Sequence, residues 1–594
     1  MENFNLLQCK ITDGFFADLQ KLNAEITIKA VYHRFKETGR FDALKCKKLE
    51  KKTHIYWDSD IAKWLEAAAC LLARKKDEEI EEWYDEAVND IVQNQLPCGY
   101  FNSYFQVYEP ENIYTRRDAH ELYCAGHLFE AAVVASKYLK DDRLFRFAEK
   151  YVDYIYERFV EKQDTAFTTP GHEEIELALM HLFAYTGKEK YKKLAEFFLN
   201  QRGSRADENC LPIRSLEEAE GHAVRVLYRL IAMSDLAREN DEKELLSVTE
   251  NLFKNITEKK MYITGGVGST HYWEEFTPAY DLPNLTSYAE TCASIALALF
   301  SDRMQRQNGM ANGGDVFERV LYNGILSGVS LDGDKFFYVN PLEMQKDNVK
   351  YRSTLDIDQR FPAQRMPILE RVKVFWCSCC PPNICRFIEE LPQYIWYRND
   401  NELLLSQPIS SVLHNDYVDA EIHSKFPYSG QIKLKIDSHG KFLRLKIRKP
   451  AWCDETFSNE QNGYLCFEKV FQGEELVVEF PMKLRKIYAN PCVDEDAGKV
   501  ALSYGPLILC AESIDNDFSL SSVRIGEISG AKINILQGKQ EVVEVILPVE
   551  KLVESKELYS YEKNKILQEK LRLIPYFTWA NRGEADMKVW FIEK

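Results

Sequence analysis

The sequence predicts a multidomain chain in which a long helical region precedes an all-β region. The 594 residues are too many for one hydrophobic core, so we expect two to four domains. From about residue 60 to residue 397, segments with helical periodicity arrive mostly in pairs joined by short polar connections. Beyond residue 397, apolar residues alternate with period two. Paired helices over this length indicate an α-solenoid or a closed α/α barrel, and the lack of a fixed-length repeat weakens the solenoid.

The helices are predicted from hydrophobic periodicity and from their first residues. Asp60 to Leu72 repeats apolar residues at helical spacing and starts with an acidic residue, which suits a helix N-terminus. Residues 1 to about 58 mix short apolar pieces with turns, and we predict no long helix there. Ten further helices are predicted over residues 77–95, 118–139, 141–160, 172–186, 189–201, 218–239, 242–257, 290–306, 313–327 and 382–397.

The last 200 or so residues are predicted to form two β-sandwiches. The segments 431–436, 442–448, 474–480 and 499–510 have strand character and are separated by turn residues. Residues 491–498 form a plausible break between the two sandwiches. We therefore expect a helical domain over 1–397 and sandwiches over 398–490 and 491–594, with residues 1–5 as a candidate extra strand.

Charge and composition limit the partners. The net charge of −17 argues against nucleic acid or an anionic membrane surface and fits a neutral small molecule or sugar. No stretch approaches the length of a membrane-spanning helix, and residues 1–10 lack the pattern of a secretory signal. The 15 cysteines are scattered and odd in number, so we expect reduced thiols and a cytoplasmic location. The β domains offer a route to a homodimer.

A cluster of cysteines marks the first candidate site. Cys377, Cys379 and Cys380 fall within four residues and precede a Pro-Pro-Asn corner and a predicted helix. Pro382 suits a first helical position, so the thiols should lie at the positive end of that helix, which favours thiolate. Neighbouring cysteines can also be ordinary core residues, whereas a disulfide between adjacent cysteines would be strained. The proline corner favours a site.

A second stretch supplies two more ligand types near a predicted helix start. Glu290 and Cys292 point to different faces inside a helix and to the same side in an extended entry, so they converge only if the helix begins at or after them. With Cys379 and Cys380 they would give one carboxylate and three thiolates, a donor set that suits Zn²⁺. The usual CxxC spacing is absent, and Cys292 alone would be interpreted as a core residue.

The scarce histidines indicate a polar pocket in the helical region. His120 and His127 are seven residues apart, share a predicted helix face with Cys124, and could form a metal site or, more simply, a pocket wall or core. His172 follows a Pro-Gly pair at a predicted helix start, and His222 falls inside a predicted helix. Three histidine-bearing helices could hydrogen-bond the hydroxyls of a sugar.

These motifs together resemble glycoside hydrolase family 127, the β-L-arabinofuranosidases. The resemblance is carried, in the family's order, by His-Glu-Leu-Tyr-Cys-Ala-Gly-His (120–127), Gly-His-Glu-Glu-Ile-Glu-Leu-Ala-Leu (171–179), Gly-His-Ala-Val-Arg (221–225), Tyr-Ala-Glu-Thr-Cys (288–292), Tyr-Val-Asn-Pro-Leu-Glu (338–343) and Cys-Ser-Cys-Cys-Pro-Pro-Asn (377–383). Residues 574–583 are similar to the family's closing strand region, so the match spans nearly the whole chain. It implies an (α/α)₆ barrel followed by β-sandwich domains.

The resemblance also implies a retaining exo-hydrolase with a zinc-bound cysteine nucleophile. Cys379 would be that nucleophile, with Glu290, Cys292 and Cys380 as the other zinc ligands. Glu274 would be the general acid/base, within apolar neighbours that could raise the pKa of its carboxyl. The residues that would line the sugar pocket are His120, His172, His222 and Tyr338. The sequence departs from the family at Trp273, where glycine is more common, and the adjacent Glu275 is an alternative acid.

Three other functions remain open at this point. A zinc hydrolase that uses metal-bound water needs an open coordination position, which four protein ligands would not leave. A carbohydrate-binding or scaffold protein with structural zinc would suit the sandwiches but not the His and Glu in the loops. A sugar epimerase is a third alternative, because α/α barrels also host that chemistry. Within the resemblance, the sugar could also be another modified pentose.

Overall fold

The computed structural model describes residues 1–203, 211–347, 367–373, 377–538 and 541–594. The helical and β regions follow each other as predicted: the last long helix ends at Glu390, and strands dominate from Trp396 onward. The helices of more than eight residues, numbered α1 to α13 in chain order, are Gly14–Leu22, Ile28–Glu37, Trp57–Arg74, Glu78–Gln93, Glu121–Val134, Arg143–Tyr156, Ile175–Thr186, Glu189–Asn200, Ala223–Glu239, Lys243–Lys259, Thr291–Asn308, Ala311–Arg319 and Cys380–Glu390.

Six of these helices form a closed inner ring. Helices α3, α5, α7, α9, α11 and α13 each pack on the next, and α13 returns to α3. Helix α3 is buried at every residue from Trp57 to Leu71, as expected for a helix with neighbours on all sides. The helices between them are amphipathic and surround the ring, with one face buried and the other in water. The closed ring confirms the α/α barrel and excludes the open solenoid.

The first outer helix was not predicted. Helices α1 and α2 join through a wide helical turn at Asn23–Thr27 and so run continuously from residue 14 to residue 37. The prediction of short pieces and turns is wrong there because the wide turn shifts the phase of the apolar residues. Phe15 and Phe16 face the core in one half, and Val31 and Phe35 do so in the other. A 3.6-residue period cannot connect two stripes that are out of phase.

Two helix boundaries also differ from prediction. The helix predicted over 382–397 ends at Glu390, is followed by a tight turn at Leu391–Tyr394, and gives way to a strand at Trp396. Pro392 explains the early end, since proline cannot continue the hydrogen-bond ladder of an α-helix. The helix predicted over 218–239 starts only at Ala223, because Gly221–His222 pairs as a short strand with Glu275–Phe276.

Nine strands form the first sheet. In chain order they are β1 Glu2–Asn3, β2 Cys9–Ile11, β6 Trp396–Asn399, β7 Glu402–Leu405, β8 Ser411–His414, β9 Asp419–Ser424, β10 Gln431–Arg448, β11 Glu460–Gln461 and β12 Tyr464–Glu479. Three short strands lie outside this sheet: β3 Gly221–His222 pairs with β4 Glu275–Phe276, and β5 Glu343–Met344 belongs to the second sheet. Strand β10 joins two predicted strands into one and pairs with β7, β9 and β12. The N-terminal strands β1 and β2 pair with β6 and β8, so the start of the chain is part of this sheet.

The second sheet contains ten strands and includes a piece of the helical region. It comprises β5 together with β13 Leu484–Ile487, β14 Lys499–Tyr504, β15 Leu507–Glu512, β16 Val523–Ile525, β17 Lys532–Leu536, β18 Val542–Leu552, β19 Ile566–Pro575, β20 Met587–Lys588 and β21 Phe591–Glu593. Strand β5 follows Tyr338 by a few residues and pairs with β20, which ties a barrel loop to the C-terminal sheet. Limits at residues 397 and 490 remain our proposal for the domains.

Two further properties concern membranes and disulfides. Within the described ranges, no helix combines the length and the apolar character needed to cross a bilayer. No disulfide joins any of the 14 cysteines that the structure describes. Their chemistry is therefore the chemistry of thiols, several of which lie deep in the barrel.

Candidate active site and metal centre

The starts of the inner helices surround a cavity of about 850 Å³. Five of the six N-cap residues of the ring line it directly, namely Tyr56, His120, His222, Glu290 and Cys379. Helix N-termini present unpaired backbone N–H groups and a partial positive charge. The cavity therefore lies at the end of the barrel where anionic groups such as thiolates and carboxylates are stabilised.

Two helix starts bring the predicted metal ligands together. Helix α11 begins at Thr291, and its N-cap Glu290 has an extended backbone with φ −58° and ψ 138°. The helix starts one residue earlier than the predicted condition requires, so Cys292 lies in its first turn, but Glu290 stays outside the helix and the two side chains converge. Cys379 is the N-cap of α13, Cys380 is its first residue, and the two prolines that follow occupy its first turn. The four ligand atoms, which come from residues up to 90 positions apart, lie within 4.8 Å of one another.

The spacing of this cluster fits a tetrahedral metal ion. The Sγ atoms of Cys292 and Cys380 are 3.4 Å apart, and those of Cys379 and Cys380 are 3.8 Å apart. Glu290 Oε1 is 3.6 Å from the Cys379 sulfur and 3.8 Å from the Cys380 sulfur. Zinc bonds of about 2.3 Å to sulfur and about 2.0 Å to oxygen in a tetrahedron would place sulfurs about 3.8 Å apart and sulfur–oxygen pairs about 3.5 Å apart. The residues present therefore fit Zn²⁺.

Burial makes the thiols depend on a positive partner. Burial raises the pKa of the Cys380 thiol well above its ordinary value, and its neighbours Cys292 and Cys379 raise it further. Burial also acts to raise the pKa of Cys292, but hydrogen bonds from Cys379 and Cys380 outweigh it and bring this pKa to about 6. Such a cluster cannot carry several negative charges in a buried site on its own. A bound cation would compensate them.

Glu274 is held beside this cluster by three polar side chains. It is 6% exposed, and the hydroxyl of Tyr288 donates a hydrogen bond of 2.7 Å to its Oε1. The hydroxyl of Tyr338 donates to the same oxygen at 3.4 Å, and His222 Nε2 lies 2.5 Å from Oε2. Tyr338 also lies 3.6 Å from the Cys379 sulfur. One hydroxyl therefore contacts both the predicted nucleophile and the predicted acid.

The structure distinguishes Glu274 from the neighbouring Glu275. Glu274 follows Trp273 in the left-handed backbone region, with φ of +61° and +55° respectively, and this turn directs its carboxyl toward Tyr288 and His222. Glu275 lies in strand β4 and is only partly buried, which raises the pKa of its carboxyl. Because Glu274 accepts hydrogen bonds from both Tyr288 and Tyr338, the predicted role fits Glu274 better than Glu275.

Two further histidines line the cavity, and the ring of His172 lies 5.3 Å from that of His222. His120 Nδ1 lies 2.7 Å from the carbonyl of Asp118, and His172 Nδ1 lies 3.0 Å from the carbonyl of Glu173. These carbonyls accept from Nδ1–H and leave each Nε2 with its lone pair. Burial and the nearby Arg225 guanidinium lower the pKa of His120 to about 3, and burial lowers that of His172 well below its usual value. Both rings are therefore neutral near pH 7 and can accept a hydroxyl proton.

Some histidine predictions need correction. His120 is not on one helix face with His127, because it caps α5 with φ +62° and lies outside that helix. His222 is likewise outside α9, in strand β3, and contacts Glu274. His127 is fully buried with its Nδ1 3.1 Å from Glu174, and Cys124 donates to a backbone carbonyl. Among the described residues, neither His127 nor Cys124 belongs to a group that could hold a metal.

Sequence reasoning missed the residues that support the site from behind. Tyr288 belongs to the quoted Tyr-Ala-Glu-Thr-Cys motif, but nothing in its spacing indicates a contact with Glu274. Asn340 donates hydrogen bonds to the carbonyl of Ala289 and to the hydroxyl of Thr291, which fixes the start of α11. Signals for such contacts are weak in a sequence because the partners are 14 to 51 residues apart.

Comparison with known proteins assigns the family. The model of the β-L-arabinofuranosidase GH127 catalytic domain matches residues 8–393, and the model of the glycoside hydrolase family 127 C-terminal domain matches residues 484–592. The chain is 30% identical to a non-reducing end β-L-arabinofuranosidase from Bifidobacterium longum over 90% of this chain and 89% of that one. The chain belongs to glycoside hydrolase family 127 and is a glycoside hydrolase.

Solved structures show the same fold throughout. A crystal structure of a GH127 β-L-arabinofuranosidase from Geobacillus stearothermophilus T6 superposes with a TM-score of 0.91 at 33% identity, covering 99% of this chain and 100% of that one. A second structure, described as a GH127 β-arabinofuranosidase, has a TM-score of 0.89 at 29% identity and covers 100% of this chain and 98% of that one. These likenesses confirm the predicted family and the predicted fold class.

Proposed function

We propose that the protein is a retaining, exo-acting β-L-arabinofuranosidase in which Cys379 is the nucleophile and Glu274 the general acid/base. The observation that carries this is the position of the Tyr338 hydroxyl, 3.6 Å from the Cys379 sulfur and 3.4 Å from Glu274 Oε1. Those two distances limit the separation of nucleophile and acid to 7.0 Å or less. A single anomeric centre can therefore contact both groups.

The first half of the reaction transfers the sugar to sulfur. The Cys379 thiolate attacks the anomeric carbon, a C–S bond forms, and the glycosidic C–O bond breaks. Glu274 gives its proton to the departing oxygen, so the leaving group departs as an alcohol and Glu274 becomes a carboxylate. The hydroxyl of Tyr288 then stabilises that carboxylate, because it donates to Oε1. His222, at Oε2, can hold or return a proton at Nε2.

The second half releases the sugar with retention. The Glu274 carboxylate takes a proton from a water molecule that approaches from the side the leaving group has left. The water oxygen bonds to the anomeric carbon, the C–S bond breaks, and the electron pair returns to the Cys379 sulfur as thiolate. Two inversions at one carbon give net retention. Each group ends in the protonation state in which it began.

The four-residue cluster makes the thiolate chemistry possible at neutral pH. Glu290, Cys292, Cys379 and Cys380 would hold Zn²⁺, whose donor set and spacing they match. When bound, the metal keeps its thiol ligands deprotonated and lowers the energy of sulfur as a leaving group. The chain's own contribution is to place Cys379 in the cavity lining while Cys380 stays buried behind it.

The sugar itself would be bound by the walls of the cavity. His120 and His172 each offer a neutral imidazole lone pair, and His222 and Tyr338 lie beside Glu274. A furanose has few hydroxyls, so two acceptors on one wall and hydroxyl donors on the other suffice to orient it. The activity of the Bifidobacterium relative, a non-reducing end β-L-arabinofuranosidase, supports β-L-arabinofuranose as that sugar.

Hydrolysis of p-nitrophenyl β-L-arabinofuranoside tests this proposal. Wild type should release nitrophenol and contain one zinc per chain, whereas Cys379→Ser and Glu274→Gln should lose at least a thousandfold in kcat while remaining folded. Glu275→Gln is the matched control and should keep most of the activity.

Each other outcome has a definite meaning. Full activity of Cys379→Ser would overturn the nucleophile and favour metal-bound water. An inert wild type that still binds zinc would mean that the sugar is wrong, and other pentosides would then be assayed. If Glu275→Gln loses activity and Glu274→Gln keeps it, the general acid/base is Glu275.

A further inference from the structure

An aromatic side chain stands at the mouth of the active cavity beside Glu274. Trp273 lines the cavity and is 59% exposed, which is unusual for the largest apolar side chain. Its neighbour Tyr272 is 48% exposed, and the two rings meet edge to face with centroids 5.8 Å apart. Exposed aromatic surface at the rim of a cavity commonly marks a binding surface.

The backbone holds this indole in place at some cost. Trp273 and Glu274 are consecutive residues with φ of +55° and +61°, a region that bulky residues rarely adopt. The next two residues form strand β4, which pairs with β3, and Ala223 N–H donates to the carbonyl of Glu274. A turn fixed in this way presents the acid and the indole from adjacent positions.

The reaction defines what must lie next to that indole. Glu274 protonates the oxygen of the leaving group, so the leaving group lies on the Glu274 side of the anomeric carbon. Cys379, His120 and His172 line the same cavity. Trp273, adjacent in the chain to the acid and exposed at the mouth, therefore faces the leaving group and not the sugar that is transferred.

The cavity is also lined by carboxylates from the segment that precedes Gly221. Strands β3 and β4 are antiparallel, with Gly221 opposite Phe276 and His222 opposite Glu275, so this segment leaves the pair at the end away from Trp273. In that segment, Glu217 and Glu220 are exposed and line the same cavity. Carboxylates accept hydrogen bonds from hydroxyl groups and repel anions. A neutral, hydroxyl-rich ring fits between an indole face and such carboxylates.

We propose that Trp273 is the platform for the leaving group and makes the enzyme select glycosides whose leaving group is a neutral sugar ring. This rests on the proposed function, because it uses Glu274 as the acid. The apolar C–H face of a sugar ring packs on the indole, and its hydroxyls point to Glu217 and Glu220. A leaving group without a ring gains none of this contact.

Two substrates with the same transferred sugar test the platform. They are a β-L-arabinofuranosyl disaccharide with L-arabinose as leaving group and methyl β-L-arabinofuranoside. Trp273→Gly removes the ring at a position where glycine fits the backbone, so the turn is relieved and not strained. We expect the ratio of kcat/KM for disaccharide over methyl glycoside to fall about tenfold, near the upper end for one aromatic contact. Trp273→Phe should keep that ratio within about threefold.

Phe442→Ala is the control, since Phe442 is an exposed aromatic residue of β10, 56% exposed. It should leave the ratio unchanged. The proposal would be overturned if Trp273→Gly left the ratio of kcat/KM for the two substrates unchanged, or if Trp273→Phe lowered this ratio as much as Trp273→Gly does. If Glu274→Gln keeps full activity, the proposed function fails instead.

Saturation-transfer NMR separates the two failures without turnover. The disaccharide is bound to Cys379→Ala enzyme, and saturation is measured separately for the protons of each sugar ring. In the double variant Cys379→Ala/Trp273→Gly, saturation transfer to the protons of the leaving-group ring should fall several-fold, whereas transfer to the other sugar ring should not change. Equal loss at both rings, or none, would contradict the proposal even for an enzyme whose nucleophile had been misassigned.

Discussion

The two ends of the helical barrel are both rich in buried ionisable groups, but they arrange them in opposite ways. Where the inner helices end, a cavity of about 520 Å³ is lined by charged residues that pair with each other. Arg386 lies 2.8 Å from Glu66, Arg303 lies 3.3 Å from Asp235, and His181 lies 2.7 Å from Glu130. Each of these three acids has a basic partner, as expected for charges that support structure.

Where the helices begin, groups of like character meet. Three thiols and Glu290 lie within 4.8 Å of one another, and Glu274 shares Tyr338 with Cys379. Such groups repel when ionised, so their convergence is typical of a site that binds a cation or moves a proton. The comparison teaches that burial of charge does not itself mark a site. The informative feature is a buried cluster in which several acidic groups lie against one another.

The largest expected effect separates a metal ligand from a structural cysteine. Cys380 and Cys385 are both buried on α13, but only Cys380 belongs to the cluster. Cys380→Ala should lose bound zinc and reduce kcat/KM more than a thousandfold, because one of four ligands is removed. Cys385→Ala should keep zinc and most activity. Metal analysis by mass spectrometry with kinetics checks both, and equal zinc content in the two variants would contradict the metal centre.

The second effect concerns stability at the other end of the barrel. Arg303→Met should lower the free energy of unfolding by about 3 kcal/mol, because the buried Asp235 and Asp302 both lose a guanidinium and Asp235 keeps only Arg306, at 3.8 Å. Its kcat/KM, measured where the enzyme is folded, should change less than twofold. Arg238→Met, which breaks an exposed pair with Glu239, should cost less than about 1 kcal/mol. Urea titration provides the values. A loss of activity with unchanged stability would mean that the two ends do not differ as described.

The third effect is a pH dependence at that same end. Burial tends to raise the pKa of Asp235, but the Arg303 and Arg306 guanidinia dominate and lower it to about 2. Its value in the unfolded chain is about 3.9, so the carboxylate stabilises the fold above pH 4 and loses this contribution as the pH falls toward 2. The destabilisation by Asp235→Asn should therefore be larger at pH 7 than at pH 2, by about 2 kcal/mol. Unfolding curves at both pH values test the sign, which a purely steric effect would not show.

The smallest expected effect concerns the hydrogen bond from Tyr288 to Glu274. Tyr288→Phe removes the donor at 2.7 Å from Glu274 Oε1 without changing the shape of a buried ring. We expect kcat/KM to fall about tenfold, since one hydrogen bond to a charged group is worth about 1.5–3 kcal/mol. Tyr262→Phe removes a buried hydroxyl that bonds the carbonyl of Pro283 and serves as the control. Equal activity of the two variants would remove Tyr288 from the site.

Much of the architecture could be predicted from local patterns. Helical periodicity identified the outer helices because each is amphipathic over several turns, and alternation identified the strands. It failed at residues 14–37, where a wide turn breaks the phase of the stripe, and at Pro392, which ends a helix. Whether the paired helices close or stay open could not be read from the sequence, because closure depends on contact between α3 and α13, which are more than 300 residues apart.

The sequence by itself determined which chemical groups this protein has available, and the tertiary structure decided their geometry. One carboxylate, three thiols and a proline corner already name a soft-metal donor set, and the condition on the start of α11 follows from residue spacing alone. Only the fold places Cys292 within 3.4 Å of Cys380, brings Tyr288 to Glu274 and turns Trp273 toward the cavity mouth. The reason is physical: residue types fix which bonds can form, whereas distances between remote residues depend on how whole helices pack.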